Sequence, residues 1–474
     1  MASKAKSRWA DDEADAALDA QLKKEKEEKK RLRAEKARKL EAERQAREAA
    51  AAAASSAADA QQHERDGTDR GSPAKRRKLS PERETVPPTD SAPKLLRFEG
   101  GTFGRSRSVE NYDKLNDIEE GAYGWVSRAK EMATGNVVAL KRLKRDPKDL
   151  GGMPVTALRE IQILKDCDHR NVVKLKEVVV GDDTTKIDSI FLVLEFLEHD
   201  LKSILEDMPE PFLASEVKTL LQQLASGVSY LHEHWILHRD LKTSNILLNN
   251  RGRLKIADFG MARYVGDPPP ALTQLVVTLW YRAPELLLGA TRYDSAIDMW
   301  SVGCIFGELL TGKPLLTGNN EVGQIAATFE LCGVPTDESW PGFRRLPNAR
   351  RMSLPPSTST KNTTGALIRA KFPLLTSAGA ALLAGLLSLD PVQRPTAREM
   401  LDHEYFRQDP KPKQEALFPT FPSKAGQEQR RRRETPNAPV RGQRAADLGA
   451  VDFSGIFSGR EKEERGGGFT LRMV

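Results

Sequence analysis

His238-Arg239-Asp240-Leu241-Lys242-Thr243-Ser244-Asn245 is the window that most restricts what this chain can fold into. It follows a segment with apolar residues at helical spacing, 215–234, and precedes a short apolar run, 254–257. It reads as a catalytic loop. The H-R-D-x-x-x-x-N spacing sets one carboxylate, Asp240, where it can accept the proton of an attacking hydroxyl, and one carboxamide, Asn245, where it can hold a magnesium ion. Lys242, just past the carboxylate, reaches a transferred phosphate. Taken alone, H-R-D would be a polar turn between an amphipathic helix and a strand. What lies before and after it decides between the two readings.

The 474 residues divide by composition, because 39% hydrophobic and 30% charged content average a globular centre with highly charged flanks. The net charge of +7 therefore describes neither part, although it suggests acidic partners or a nuclear setting. Cys167, Cys304 and Cys332 form no C-x-x-C pair, which argues against a disulfide framework or a zinc site and suits a reducing compartment. The first twenty residues are polar, unlike a secretory signal, and no apolar run approaches the roughly 20 residues of a membrane span. A soluble intracellular protein with no membrane partner is expected.

From Asp11 to about Ala60 the chain is Ala, Glu, Lys, Arg and Gln, with pairs such as Glu43 and Arg47 at i, i+4. It has helix formers and nothing to bury, so a solvated, fluctuating helix is expected in preference to a coiled coil. Ser, Pro and Gly take over to Ser108, a linker composition. The cluster Lys75-Arg76-Arg77-Lys78, between Ser72-Pro73 and Ser80-Pro81, suits a nuclear import receptor, and Arg430 to Arg433 form a second basic run. Direct nucleic-acid binding through these tails has no folded signature or interleaved aromatics to support it.

Segments 112–118, 125–131 and 137–143 alternate as strands. Between the first two, Ile118-Glu119-Glu120-Gly121-Ala122-Tyr123-Gly124-Trp125-Val126 can lie over phosphates, although Glu119 occupies the first position of a G-x-G-x-x-G pattern. Ala139-Leu140-Lys141 follows, and then a helix from Pro154-Val155-Thr156-Ala157-Leu158-Arg159-Glu160, with Glu160 expected to face Lys141. Further strands are expected at 172–180 and 190–196, completing a five-stranded sheet.

These parts, with the catalytic loop, Asp258-Phe259-Gly260 and Ala283-Pro284-Glu285, resemble the eukaryotic protein kinases. The PVTALRE helix, Glu198-His199-Asp200-Leu201-Lys202-Ser203, Trp235 to Asn245 and Asp298 to Cys304 are most similar to the PITSLRE-type branch, the cyclin-dependent kinase 11 family. The resemblance covers about Glu110 to Phe406. It implies an α+β bilobal kinase fold with a small five-stranded β lobe carrying one main helix, 109–197, and a larger helical lobe, 198–406. By composition the flanks, 1–108 and 407–474, are expected to be charged, disordered tails, except where Leu417-Phe418-Pro419-Thr420-Phe421 can pack on the kinase.

It also implies ATP and Mg2+ as cofactors. Lys141, paired with Glu160, would contact the phosphates; Asn245 and Asp258 would hold the metal; and 118–126, Ala139, Glu195 and Leu197 would enclose the nucleotide, with backbone at 195–197 pairing with adenine. Thr273 matches the regulatory phosphothreonine, with Arg159, Arg239 and Arg263 suited to its phosphate, and Tyr123 matches an inhibitory tyrosine. Val276 to Arg282 resembles the platform of proline-directed kinases, where a carbonyl turned toward an arginine, here Arg282, leaves an N–H one residue past the target unpaired; proline has none to lose. Asp298 is expected to anchor the catalytic loop, and Glu285 to pair with Arg394.

The function so implied is a cyclin-dependent serine/threonine kinase acting on Ser-Pro and Thr-Pro sites, with an L-type cyclin partner, in nuclear transcription, splicing and cell-cycle control. The alternative is a nuclear scaffold or pseudokinase working through its tails, which would be expected to lack Lys141, Asp240, Asn245 or Asp258. All four are present.

Overall fold

In the segment from Val137 to Leu143, period-two alternation sends Val138 and Leu140 to one face and Ala139, Lys141 and Leu143 to the other. The sheet this builds contains β1 (Tyr112–Glu120), β2 (Gly124–Glu131), β3 (Val137–Leu143), β4 (Leu175–Val180) and β5 (Ile190–Glu195), antiparallel in the order β1-β2-β3-β5-β4. The structure is a computed structural model that describes residues 106–120, 124–143, 153–181, 190–266, 268–274, 276–354 and 364–422. The charged segment 11–60, both basic clusters, the Ser-Pro pairs, and Gly121, Ala122 and Tyr123 lie outside the described residues.

One face of the sheet buries Ala129, Val138, Leu140, Val179 and Val193 with Tyr112. The other packs Leu143 and Leu192 on Ala157 of helix α1 (Val155–Asp166). Helix α1 turns Ala157, Glu160, Ile163 and Leu164 inward at helical spacing and leaves Val155 and Leu158 exposed. Pro154 stands at the N-cap, just ahead of the first turn where the sequence placed it. There its missing N–H costs no helical bond.

The larger lobe follows with β6 (His199–Asp200), α2 (Leu201–Asp207), α3 (Ala214–Glu233), β7 (Ile236–Leu237), β8 (Ile246–Leu248), β9 (Leu254–Ile256) and β10 (Arg263–Tyr264). Then come α4 (Pro284–Leu287), α5 (Ala296–Thr311), α6 (Glu321–Cys332), α7 (Thr364–Lys371), α8 (Ser377–Leu386) and α9 (Ala397–Leu401). Helix α5 is buried over almost its whole length and forms the axis of this lobe. Gly303 lets α8 come close: a Cβ there would sit 2.9 Å from Leu387 Cδ2 and 3.0 Å from Leu386 Cβ. A parallel bridge between Val172 and Ile256, with Val173 N–H donating to Ile256 C=O at 2.9 Å, joins the lobes behind the cleft.

The sequence ends the domain at Phe406 and expects packing beyond it only at Leu417 to Phe421; the described chain continues from Phe406 to Pro422 and packs on the larger lobe before Leu417 as well. Lys413 reaches Glu216 at 2.9 Å, and Phe418 is buried against Phe212. The contact depends on Gly252, at φ +73°, where a Cβ would lie 2.5 Å from the Glu415 carbonyl oxygen. Phe421 meets His199 and Phe212 edge-on. A Pro-rich strap has no periodicity of its own, and its order comes from pockets on the lobe. Among the described residues no helix is long and apolar enough to cross a membrane.

Candidate active site

Lys141 and Glu160 meet because strand parity turns the lysine toward α1. The Lys141 ammonium lies 2.6 Å from Glu160 Oε1 and 2.8 Å from Asp258 Oδ1. Burial works against its charge, but Asp258 and Glu160 outweigh that and hold the lysine above its ordinary range. Burial likewise opposes the Asp258 charge, yet Lys141 brings that carboxyl down to about 2. Asp258 has a left-handed backbone, φ +62°. This uncommon conformation turns it out of β9 into the cleft at the start of the turn Phe259–Met261.

The catalytic loop is held from below. Asp298, in the first turn of α5, accepts the N–H groups of His238 and Arg239 at 2.9 Å each. Burial would raise its carboxyl, but His232, 3.0 Å away, and the loop amide of Arg239 keep it below the ordinary range. His238 is fully buried, and burial lowers its pKa. The neutral ring donates from Nε2 to Ala257 C=O at 3.1 Å and accepts the Asp240 N–H at Nδ1, 3.3 Å. Arg239 takes φ +62°, a bend that points Asp240 toward the cleft.

Asp240 Oδ1 accepts from Thr278 Oγ1 at 2.7 Å and Thr278 N–H at 3.1 Å, while Oδ2 pairs with Lys242 at 2.9 Å. Lys242 also donates to Thr278 Oγ1 at 3.1 Å. The Asn245 amide donates to the Asp240 carbonyl at 2.8 Å and to Oδ2 at 3.1 Å. With its NH2 so engaged, Asn245 offers Oδ1 as its remaining acceptor. Its carboxamide oxygen and the Asp258 carboxylate are hard donors of the kind a small divalent cation takes beside phosphate oxygens.

Val126 stands opposite Lys141 in the β2–β3 register, and Ala139 shares the Lys141 face. Ile118, Val126 and Ala139 are half-buried, and Leu197 is buried past the end of β5. Trp125 is separated from this group. Strand alternation puts it on the opposite face, where its ring lies 5.4 Å from the Arg142 guanidinium. Glu119 and Glu120 end β1 and Gly124 begins β2. Glu195 points its carboxylate away from the strand end, to Lys174 N–H and Lys255, each 2.7 Å away.

Thr273 is exposed, and its carbonyl accepts from Tyr293 OH at 2.7 Å. That hydroxyl also takes a bond from Arg239 Nη1 at 3.0 Å, while Arg239 Nε donates to Met261 C=O at 2.9 Å. Arg263, in β10, also acts electrostatically on Tyr293. Helix α1, bearing the half-buried Arg159, packs on the turn Phe259–Met261, so the elements carrying the three arginines meet around that turn. In the platform, Val277 adopts φ +66°, and its carbonyl accepts from Arg282 Nη2 at 3.0 Å and Nε at 3.3 Å. Arg282 is fixed in turn by Glu321 at 2.8 Å. Glu285 pairs with Arg394 at 2.6 Å.

Sequence reasoning missed Thr278, Tyr293 and Glu308. Thr278 lies inside the platform run already singled out, so it was within reach; no spacing tied it to Asp240. Buried Glu308, in α5, joins Thr243 Oγ1 at 3.0 Å and Tyr281 OH at 2.7 Å beneath the loop. That helix was read only for its motif at the other end.

The protein kinase domain profile matches residues 112–406. The chain is 51% identical over 318 residues to serine/threonine-protein kinase ppk23 of Schizosaccharomyces pombe, covering 67% of this chain and 78% of that one. It is 44% identical over 397 residues to human cyclin-dependent kinase 11B, covering 83% of this chain but only 48% of that protein. The chain thus spans about half the length of its human relative. A chain in the solved structure of the CAK complex from Chaetomium thermophilum bound to ATP-γ-S is similar, with a TM-score of 0.60, 36% identity, and coverage of 66% of this chain and 96% of that one. The chain belongs to the protein kinase family, to its cyclin-dependent kinase 11 type, and it is an ATP-dependent serine/threonine kinase.

Proposed function

We propose that this kinase is proline-directed, cyclin-dependent and nuclear. The observation that carries the first point is the Val277 carbonyl, which belongs to a residue at φ +66° and is occupied by Arg282 at 3.0 Å. A substrate residue after the target serine finds no acceptor there for its N–H, and proline alone has none to satisfy. The substrate hydroxyl takes the place of Thr278 Oγ1 beside Asp240, which accepts its proton. Lys242, freed from the same threonine, reaches toward the transferring phosphoryl group. Asn245 Oδ1 and Asp258 would hold a magnesium ion, which supplies charge neutralisation at the phosphates. Lys141, held by Glu160, contacts the α- and β-phosphates. Most of the acceleration comes from positioning and fixed charge.

The cyclin docks on α1, where Val155 and Leu158 are 43% and 50% exposed, and keeps Glu160 turned toward Lys141. Phosphate on Thr273 would find Arg239 and Arg263 close by and Arg159 on the adjoining helix, ordering the activation segment by charge-assisted bonds. Tyr123 provides one inhibitory site. The resemblance favours an L-type cyclin and work in transcription, splicing and the cell cycle, and Lys75 to Lys78 favour nuclear import. The complex isolated from cells, its cyclin identified by mass spectrometry, should phosphorylate a Ser-Pro peptide far faster than its Ser-Ala counterpart. Equal rates would exclude the proline-directed reading, and full activity of the isolated chain without phosphate on Thr273 would exclude cyclin control.

A further inference from the structure

Lys255 has no part in the phosphoryl transfer described above, yet it is 9% exposed at the middle of β9. A lysine so placed is costly unless its ammonium is paired. It donates to Val172 C=O at 3.1 Å and pairs with Glu195 Oε1 at 2.7 Å, the two side chains being 11% and 26% exposed. The same oxygen accepts the Lys174 N–H at 2.7 Å. Three segments therefore converge on one ion pair: the end of β5 where the chain leaves the small lobe, the stretch 172–174 between α1 and β4, and β9. Strand β9 runs directly into Asp258, and Ile256 N–H donates to Asn171 C=O at 2.8 Å in the same seam.

We propose that Lys255 is a positioning residue for nucleotide binding. By holding the Glu195 carboxylate against β9, it fixes the spacing between the backbone that receives the adenine and the strand that delivers Asp258. This rests on the reading that places the adenine along 195–197. Without the ammonium, the Glu195 carboxylate keeps only the Lys174 N–H and turns toward water. The Glu195 N–H still donates to Lys174 C=O at 3.1 Å, so what is lost is the side-chain tie to β9. The segment gains freedom relative to that strand, which nucleotide must remove on binding. Asp240 and Lys242 are tied separately, through Asp298 and Thr278. The loss therefore falls on ATP affinity.

The test titrates the full-length chain with ATP and magnesium by calorimetry, for wild type, Lys255→Met, Glu195→Gln and the double variant. Each single change should weaken affinity by about tenfold, the low end of what a charge-assisted bond contributes, and the double variant should lose no more than either single one. In the active complex the same factor should appear in KM for ATP and not in kcat; a merely structural role would lower the unfolding midpoint and leave affinity alone. Ala139→Trp, which fills the adenine side of the cleft, separates the two readings. Wild-type affinity in Ala139→Trp would overturn the adenine placement and the proposal with it. Wild-type affinity in Lys255→Met beside a weakened Ala139→Trp would overturn the role of Lys255 alone, as would losses that add in the double variant.

Discussion

Asp298 accepts the backbone N–H groups of both His238 and Arg239, each at 2.9 Å, so one carboxylate on α5 sets the height of the catalytic loop. Asparagine is nearly the same size but has one oxygen acceptor instead of two. Asp298→Asn should destabilise the fold by about 1–3 kcal/mol in urea titration. It should also reduce kcat more than tenfold, because the loop amides can no longer both be held. A wild-type kcat would mean that Asn245 and Thr278 suffice to hold Asp240.

Asp240→Asn removes the proton acceptor while preserving shape. The variant should fall in kcat by about a hundredfold to ten-thousandfold, the range for a positioned base. It should remain folded while losing about 1–3 kcal/mol of stability, because Lys242, Asn245 and Thr278 share one acceptor fewer. Activity close to wild type in a purified assay would remove Asp240 from that role.

Arg282 binds the Val277 carbonyl through Nη2 at 3.0 Å, shares Nε between the Val276 carbonyl at 3.0 Å and the Val277 carbonyl at 3.3 Å, and pairs Nη1 with Glu321. Lysine cannot reproduce this fork. In Arg282→Lys the carbonyl becomes available to a substrate N–H. The preference for Ser-Pro over Ser-Ala peptides, measured as a ratio of kcat/KM, should fall at least about fivefold.

Burial raises the Glu308 carboxyl from 4.5 to about 7, despite the hydroxyls of Tyr281 and Thr243. The folded protein thus binds this proton more tightly than the unfolded chain does. Its stabilising contribution is complete below pH 4.5 and is lost as pH rises through about 7. The difference is on the order of 3 kcal/mol. Glu308→Gln should flatten the pH dependence of urea stability across that window. An unchanged slope would show that Glu308 titrates as an ordinary carboxylate.

Phe418 is 6% exposed and anchors the strap that continues past Phe406. Phe418→Ala should cost about 3 kcal/mol or more in stability, as truncation of a buried aromatic does. A loss below about 0.5 kcal/mol, the scale of surface changes, would mean the strap contributes nothing to the fold.

Much of this protein was legible in the chain because kinase chemistry depends on short-range spacing. Asp240, Lys242 and Asn245 lie within one loop, and Asp258 follows one strand later. Alternation in 137–143 and helical spacing in 214–233 reveal the faces that must be buried, since both periods are local. Packing of Leu417 to Phe421 was expected, strand alternation by itself separates Trp125 from Val126, and Thr278 stands within the platform run. The contacts that hold the strap, and the ties of Lys255, Tyr293 and Glu308, were not legible. Each depends on a partner distant in sequence. Asp298 meets His238 only because α5 threads beneath the loop. By itself the sequence determined which groups do the chemistry and which faces are apolar. The resemblance already implied that Asp298 anchors the loop and that a platform carbonyl turns to Arg282. Tertiary structure alone decided that Lys255 meets Glu195, that Glu308 joins Thr243 and Tyr281, and what holds the chain from 407 to 422, because those follow from packing between remote segments.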